Sequence, residues 1–377
     1  MKRVRVLLIF GTRPEAVKMA PVVKALTKVP EIEARVCVTA QHREMLDQVL
    51  ELFQIKPDYD LNLMRPNQTL AGLTAEILEH IDPVLADEHP DWVLVQGDTT
   101  TVMVAALAAF YRQVKVGHVE AGLRTGDKHQ PFPEEINRRI AGTLADLHFA
   151  PTELSRQNLL HEGVEDWRIA VTGNPDIDAL QQISKMEEPP EVNKWLKEWG
   201  ITDGKARLVL ITAHRREAFG APIEAICAGL KELALHYSRA VQFIYPVHLN
   251  PNIQEPVYRL LGNIPNIHLL PPLDYLPLVH LMKAATIVLT DSGGIQEEAT
   301  GLGKPTLVLR DKTERPEGVE AGVLKLVGTN KENIVNQARE LLDDEQAYAV
   351  MAHAANPFGD GHAAEHIVKA LMEYQER

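Results

Sequence analysis

Val4-Arg5-Val6-Leu7-Leu8-Ile9-Phe10-Gly11-Thr12-Arg13-Pro14-Glu15-Ala16-Val17-Lys18 is the stretch on which the fold turns. Its apolar run from Val6 to Phe10 is continuous rather than alternating, the pattern of a strand covered on both faces. Gly11 permits a tight turn, and Glu15–Lys28 then reads as an amphipathic helix. The same order recurs. Strands are predicted at Ala34–Thr39, Trp92–Gln96, Lys115–Val119, Leu147–Ala150 and Ile169–Thr172. Helices are predicted between them at Glu44–Phe53, Thr69–Glu88 and Thr100–Tyr111. Strands alternating with helices imply right-handed βαβ units and a parallel sheet.

The pattern then restarts, with short strands at Leu208–Thr212, Gln242–Tyr245, Ile267–Leu270, Ile287–Thr290 and Thr306–Leu309. The polar, Pro-containing stretch Ser184–Lys205 breaks the rhythm, so a domain boundary is expected within Thr172–Lys205. A chain of 377 residues suits two domains. The fold class is therefore α/β, with two Rossmann-like doubly wound domains, which is expected to put a cleft between the carboxyl ends of both sheets. After the turn Asn356–Gly361, His362–Tyr374 is again helical.

Composition excludes some partners. Apolar residues make up 45% and charged residues 24%, the balance of a globular protein. The net charge of −13 argues against nucleic acid, and an anionic substrate must be held by local cations. Cys37 and Cys227 read as buried thiols, with no disulfide framework and no CxxC metal site. Lys2, Arg3 and Arg5 precede an apolar run too short for a signal segment, and no stretch approaches the roughly 18 apolar residues of a membrane span. The cytoplasm is the expected compartment.

Several cofactor signatures fail. No G-x-G-x-x-G follows the first strand, so no nicotinamide cofactor is indicated. Gly301-Leu302-Gly303-Lys304 is followed by Pro305 where a nucleotide phosphate loop needs Ser or Thr. Asp176-Ile177-Asp178 has the D-x-D form of a metal site, but Asn174 as cap and Pro175 at the first helical position explain it better. The histidines show no metal spacing.

Polar clusters nevertheless stand just after predicted strands, where an α/β protein places its site. After the first strand, the helix N-terminus at Gly11-Thr12 either points N–H groups at an anion, with Arg13 and Lys18 as cations, or is a capped turn with solvated charges. Asp98 follows Trp92–Gln96, as a cap for the next helix or as an acid–base group. Glu120 ends the strand Lys115–Val119, a position that faces a cleft more readily than a core. Glu134 and Arg138, and likewise Glu135 and Arg139, are spaced i,i+4, and the second pair reads as a solvated helix pair. In the second half His214 and Arg215 follow one strand. Asp291-Ser292-Gly293-Gly294 follows another and opens a helix as a backbone anion cradle, with Glu298 one turn on placed to accept two ribose hydroxyls.

Together the strings GTRPEAVK (11–18), TAQHRE (39–44), QGDTTT (96–101), HVEAGLRTGD (118–127), PEEINR (133–138), HRREAFG (214–220), PVHLNP (246–251), DYLPLV (274–279), TDSGGIQEEA (290–299), GKPTLVLRDKTERPE (303–317) and NPFGDG (356–361) resemble the non-hydrolysing UDP-N-acetylglucosamine 2-epimerases, nearly end to end. The resemblance implies the two-domain GT-B-like fold, with residues 1–172 and 173–360 as the domains and the final helix, 361–377, returning to the first. It implies Asp98, Glu120 and Glu134 as catalytic carboxylates, with His214 at the diphosphate. It implies Arg13, Lys18, Ser292, Gly293, Gly294, Glu298 and Arg315 as substrate contacts, and Leu273 and Leu278 as the uracil wall. It further implies a homodimer, UDP-GlcNAc, UDP-ManNAc and UDP as ligands, no cofactor and no metal, and a role in supplying ManNAc-type sugars for cell-surface polysaccharides. Gln41, Glu44, Arg215 and His248 resemble a regulatory second UDP-GlcNAc site, although Glu44 stands where regulated members have glutamine. The chain also departs from the family in having Pro175-Asp176 where Thr-Val is common, and Leu278 where an aromatic is common.

The chemistry implied is elimination. The C2 hydrogen is not next to a carbonyl, so C1–O cleavage must accompany its removal, leaving 2-acetamidoglucal and UDP. A second carboxylate then protonates the other face and UDP re-adds. Carboxylates buried together raise one another's pKa, which helps one act as an acid. The competing activities are the hydrolysing epimerase, which releases ManNAc and UDP, and a GT-B glycosyltransferase.

Overall fold

The continuous apolar run becomes β1 (Val4–Phe10), whose residues Val6 to Phe10 are essentially inaccessible. The structure, a computed structural model, describes residues 3–40, 43–63, 65, 68–215 and 218–375, with backbone only at 43–45 and 375. Beside β1 lie β2 (Ile32–Val38), β3 (Tyr59–Asp60), β4 (Trp92–Gln96), β5 (Lys115–Val119), β6 (Leu147–Ala150) and β7 (Ile169–Val171). They form one parallel sheet in the order β3-β2-β1-β4-β5-β6-β7. The chain direction across the sheet reverses between β1 and β4, the switch point at which such folds bind ligands.

The second sheet is also parallel. It contains β8 (Arg207–Thr212), β9 (Val241–Pro246), β10 (Ile267–Leu270), β11 (Ile287–Thr290), β12 (Thr306–Val308) and β13 (Leu324–Leu326), in the order β10-β9-β8-β11-β12-β13. Its switch point lies between β8 and β11. Both sheets carry helices, and both bury uninterrupted Val, Ile and Leu, so each is a Rossmann-like unit with its own core. No helix among the described residues is long and apolar enough to cross a membrane.

The units are Met1–Ala179 with Phe358–Arg377, and Leu180–Pro357. The division falls inside the helix Pro175–Ile183 rather than at residue 172, because the start of that helix is tied to the first unit. Asn174 N donates to Phe358 O at 2.8 Å. The Asp178 carboxylate accepts from Ala363 N and Ala364 N at 3.1 and 2.9 Å, capping the last helix, Ala363–Gln375. Tyr374 then stacks on Trp167 and meets Trp92 edge-on, with ring centroids 5.7 and 5.0 Å apart.

Three expectations change. Ser184–Lys205 is not merely a break, since it contains the helix Pro190–Glu198, whose Trp195 stacks on Trp199. The strand expected at Ala34–Thr39 begins two residues earlier, because Ile32 still pairs with Val4. The short edge strands β3 and β13 are additional.

Candidate active site

In the first unit the site is built on the ends of β4 and β5. Glu120 follows β5 with a left-handed backbone, φ 63°, a conformation costing a non-glycine residue of order 1–2 kcal/mol. Gly97 N to Val119 O and Ala121 N to Phe149 O, both 3.0 Å, hold the chain on either side. The strained turn buries the Glu120 carboxylate among donors. Lys18 Nζ donates to Oε1 at 2.6 Å, Asn174 Nδ2 donates to the same oxygen at 3.0 Å, and Gln96 Nε2 donates to Oε2.

Asp98 follows β4. Thr99, not Asp98, caps the helix Thr100–Tyr111, its hydroxyl accepting from Val102 N, so the capping role considered for Asp98 is filled by its neighbour. The Asp98 carboxylate instead receives Arg138 Nη2 at 2.5 Å. Burial pushes the Asp98 carboxyl upward; Arg138 opposes this, while Glu120 and Glu134 add to it. Asp98 thus feels both of the other predicted carboxylates. Glu134 heads the helix Glu134–Leu144, and its Oε2 is buried with no hydrogen-bond partner among the described residues. Behind them His118 Nε2 contacts Gly97 O at 2.7 Å, and burial lowers the imidazole to about 4. It is thus neutral near pH 7 and donates through Nε2, steadying the turn that carries Asp98.

Of the two pairings expected from sequence, one is replaced and the other forms in a buried setting. Arg138 does not pair with Glu134; it bridges Asp98 and Glu135, the latter at 3.3 Å. Glu135 is not solvated but completely buried, accepting also from Thr125 N at 3.1 Å and Arg139 Nε at 3.2 Å. Helix spacing identifies neighbours on the helix, but here the inner face meets charges from the sheet.

Of the two readings of the helix start after β1, the cap is the one that forms. Gly11 N and Thr12 N both donate to Glu15 Oε2, at 3.0 and 2.7 Å, and Thr99 Oγ1 donates to Glu15 Oε1 at 2.7 Å. The anion at this helix start is the chain's own carboxylate, in a capping box with Thr12. Gly11 is required by close approach, since a Cβ there would lie 2.0 Å from Thr39 Oγ1. Arg13 is half-buried and forms no hydrogen bond or ion pair among the described residues.

In the second unit the helix Gly293–Gly301 starts without a side-chain cap hydrogen bond at Ser292. The Arg315 guanidinium rests on Gly293, where a Cβ would come within 3.1 Å of Nη1. Glu297 holds Arg315 Nε at 2.7 Å. Glu298 is buried and accepts from the Tyr275 hydroxyl at 2.9 Å. Leu273 and Leu278 are partly buried and pack on the core that includes Ile295. His214 and Arg215 follow β8, and both backbone N–H groups donate to Asp291. His248 is exposed, its ring stacked on His214 with centroids 5.3 Å apart. Gln41 and the Glu44 side chain lie outside the described residues.

A family model described as UDP-N-acetylglucosamine 2-epimerase matches residues 24–372. A UDP-N-acetylglucosamine 2-epimerase of Yersinia pestis is 56% identical over 373 residues, 98% of this chain and 99% of that one. The protein of the same name from Escherichia coli K12 is 55% identical over 369 residues, covering 97% and 98%. This chain belongs to the UDP-N-acetylglucosamine 2-epimerase family. Among solved structures, the UDP-GlcNAc 2-epimerase of Neisseria meningitidis bound to UDP-GlcNAc matches with a TM-score of 0.89 at 49% identity, over 98% of this chain and 100% of that one.

Sequence reasoning missed several partners of these candidate residues. Gln96 on Glu120, Arg138 on Asp98 and Tyr275 on Glu298 stand within the quoted strings, whereas Asn174 on Glu120 stands outside them and reads from sequence only as a helix cap. Their signal was residue type at a strand end or helix start, without any indication of which carboxylate each would meet.

Proposed function

We propose that this family member works without hydrolysis, interconverting UDP-GlcNAc and UDP-ManNAc through 2-acetamidoglucal. The observation that carries the reading is the set Asp98, Glu120 and Glu134 in one unit, with Asp98 pushed upward by burial and by both neighbours. A reaction that inverts a carbon through an alkene needs one group to take a proton and another to give one, on opposite faces. In the elimination a carboxylate takes the C2 proton. The C2–H electron pair becomes the C1=C2 π bond, and the C1–O pair leaves with the β-phosphate of UDP. Re-addition reverses these movements after protonation of the other face.

Residues of the second unit act on the nucleotide. The uncapped helix start at Ser292-Gly293-Gly294, with Arg315 and His214, suits a diphosphate whose charge grows as C1–O breaks. Glu298 suits two ribose hydroxyls, and Leu273 and Leu278 suit a uracil face. Lys18 and Arg13 serve the substrate from the first unit. Phe110, Tyr111, Ile136 and Ile140, exposed on adjacent helices, support a homodimer, and the free buried thiols Cys37 and Cys227 suit the cytoplasm. The product is an activated ManNAc sugar fit for polysaccharide synthesis.

The test is incubation with UDP-GlcNAc alone in heavy water, followed by proton NMR. Both nucleotide sugars should appear, with deuterium at C2 of the epimer. Stoichiometric free ManNAc and UDP would assign the chain to the hydrolysing branch. No reaction without an added acceptor would favour a glycosyltransferase.

A further inference from the structure

Asp291 is completely buried at the end of β11, directly before the Ser292 turn. Its Oδ2 accepts from His214 N and Arg215 N, each at 2.7 Å. Its Oδ1 is buried, has no hydrogen-bond partner among the described residues, and lies 3.6 Å from His214 Nδ1. A buried carboxylate oxygen left without a donor is costly, and native structures rarely leave one so. The imidazole is half-exposed and can turn. A movement of about 0.8 Å brings Nδ1–H to hydrogen-bonding distance.

We propose that Asp291 is the positioning residue for His214. It fixes the backbone of the His214–Arg215 loop through Oδ2 and takes Nδ1–H through Oδ1, which leaves Nε2 to face an anion at the Ser292 turn. With the ring so oriented, the carboxylate favours imidazolium when that anion is bound, as second-layer carboxylates do for other functional histidines. Two described neighbours of His214, Arg215 and His248, are not anionic. Arg215 is a cation on the same loop, and His248, from the segment after β9, stacks on the ring. Tyr245 of β9 donates its hydroxyl to Ala213 O at 2.7 Å and stays neutral, because burial and nearby groups including Asp291 push it well above its ordinary value. Arg216 and Glu217 lie outside the described residues. The inference rests on the diphosphate reading of the Ser292 turn.

Two measurements separate the inference from that reading. Without ligand, nitrogen NMR of the parent protein, with His214 assigned by the spectrum of His214→Gln, should show neutral His214 protonated on Nδ1. The titration midpoint of His214 should fall by about one pH unit in Asp291→Asn. Asparagine keeps an oxygen for the two backbone N–H groups but turns an amide toward Nδ1. An Nε2–H tautomer in the parent overturns the proposal whether or not the variant folds, and so does an unmoved midpoint in a folded variant. With UDP, calorimetry should show parental binding weakening from pH 6 to pH 8. Asp291→Asn and His214→Gln should each lose that pH dependence, bind about tenfold more weakly at pH 6, and show no further loss when combined. Additive losses overturn the coupling. Absence of UDP binding by the parent overturns the nucleotide reading instead, and leaves the NMR result to decide the orientation of His214.

Discussion

Lys18 Nζ lies 2.6 Å from Glu120 Oε1, and both side chains are nearly excluded from solvent. Removing one partner of a buried ion pair leaves an uncompensated charge and costs about 3–5 kcal/mol, even where the intact pair contributes little net stability. Lys18→Met and Glu120→Gln are each expected to lower stability, and the double variant should recover part of the loss. Urea unfolding of the four proteins gives the coupling, expected at about 1–3 kcal/mol. Glu120→Gln should also lower epimerisation by about 10²–10⁴ while calorimetric UDP affinity holds. Strictly additive stabilities would mean that the two groups do not interact in solution.

The Tyr275 hydroxyl donates to Glu298 Oε1 at 2.9 Å in a buried setting. A hydrogen bond to a charged group contributes about 1.5–3 kcal/mol. Without it the carboxylate is less fixed for the ribose hydroxyls it is proposed to bind. Tyr275→Phe is expected to weaken UDP binding by about tenfold. Deuterium exchange at C2 should keep its rate at saturating UDP-GlcNAc. A parental UDP affinity in this variant would remove Tyr275 from the nucleotide site.

Much of this architecture was legible because its signals are local. Val6–Phe10 is an uninterrupted apolar run, and Asp98 and Glu120 stand immediately beyond strands, where the parallel fold puts chemistry. The two-residue β3 and three-residue β13 carry too few side chains to show a period. What remained hidden depended on contacts distant in sequence. Arg138 is taken by Asp98, 40 residues away, so helix spacing assigned it to Glu134 instead. Whether the Gly11 and Thr12 amides were open to a ligand depended on where the Glu15 carboxylate folded, and it folded back onto them.

That fold-back gives Glu15 a signature in stability. Burial raises its carboxyl above the ordinary 4.5, although Thr99, Thr12 and Gly11 pull the other way. The native state therefore holds its proton more tightly than the unfolded chain. The resulting stabilisation is fully present below pH 4.5 and is lost as pH rises through the raised folded value. Glu15→Gln keeps an acceptor for the two amides and should flatten stability above pH 4.5 relative to the parent. Glu15→Ala orphans both amides and should lose about 2–4 kcal/mol across the range. Urea unfolding at pH 4.5 and pH 7 reads both, and equal pH slopes for the parent and Glu15→Gln would show that Glu15 titrates normally.

His148 works in the opposite direction. It sits in β6 in register with His118 of β5, fully buried, with neither ring nitrogen partnered among the described residues. Burial lowers its imidazole from 6.5 to about 3, with His118 adding to the effect. Here the unfolded chain binds the proton more tightly, so stability is complete above pH 6.5 and falls as pH drops toward 3. Leucine has nearly the same volume and carries no polar atom to desolvate. His148→Leu should therefore be at least as stable as the parent at pH 7. Between pH 7 and pH 5 the parent should lose about 2 kcal/mol more than the variant, His118 contributing equally to both. Urea midpoints at the two pH values decide it. An equal acid loss in the two proteins would show that His148 reaches water or a hydrogen-bond partner in solution and is not the source of the acid sensitivity.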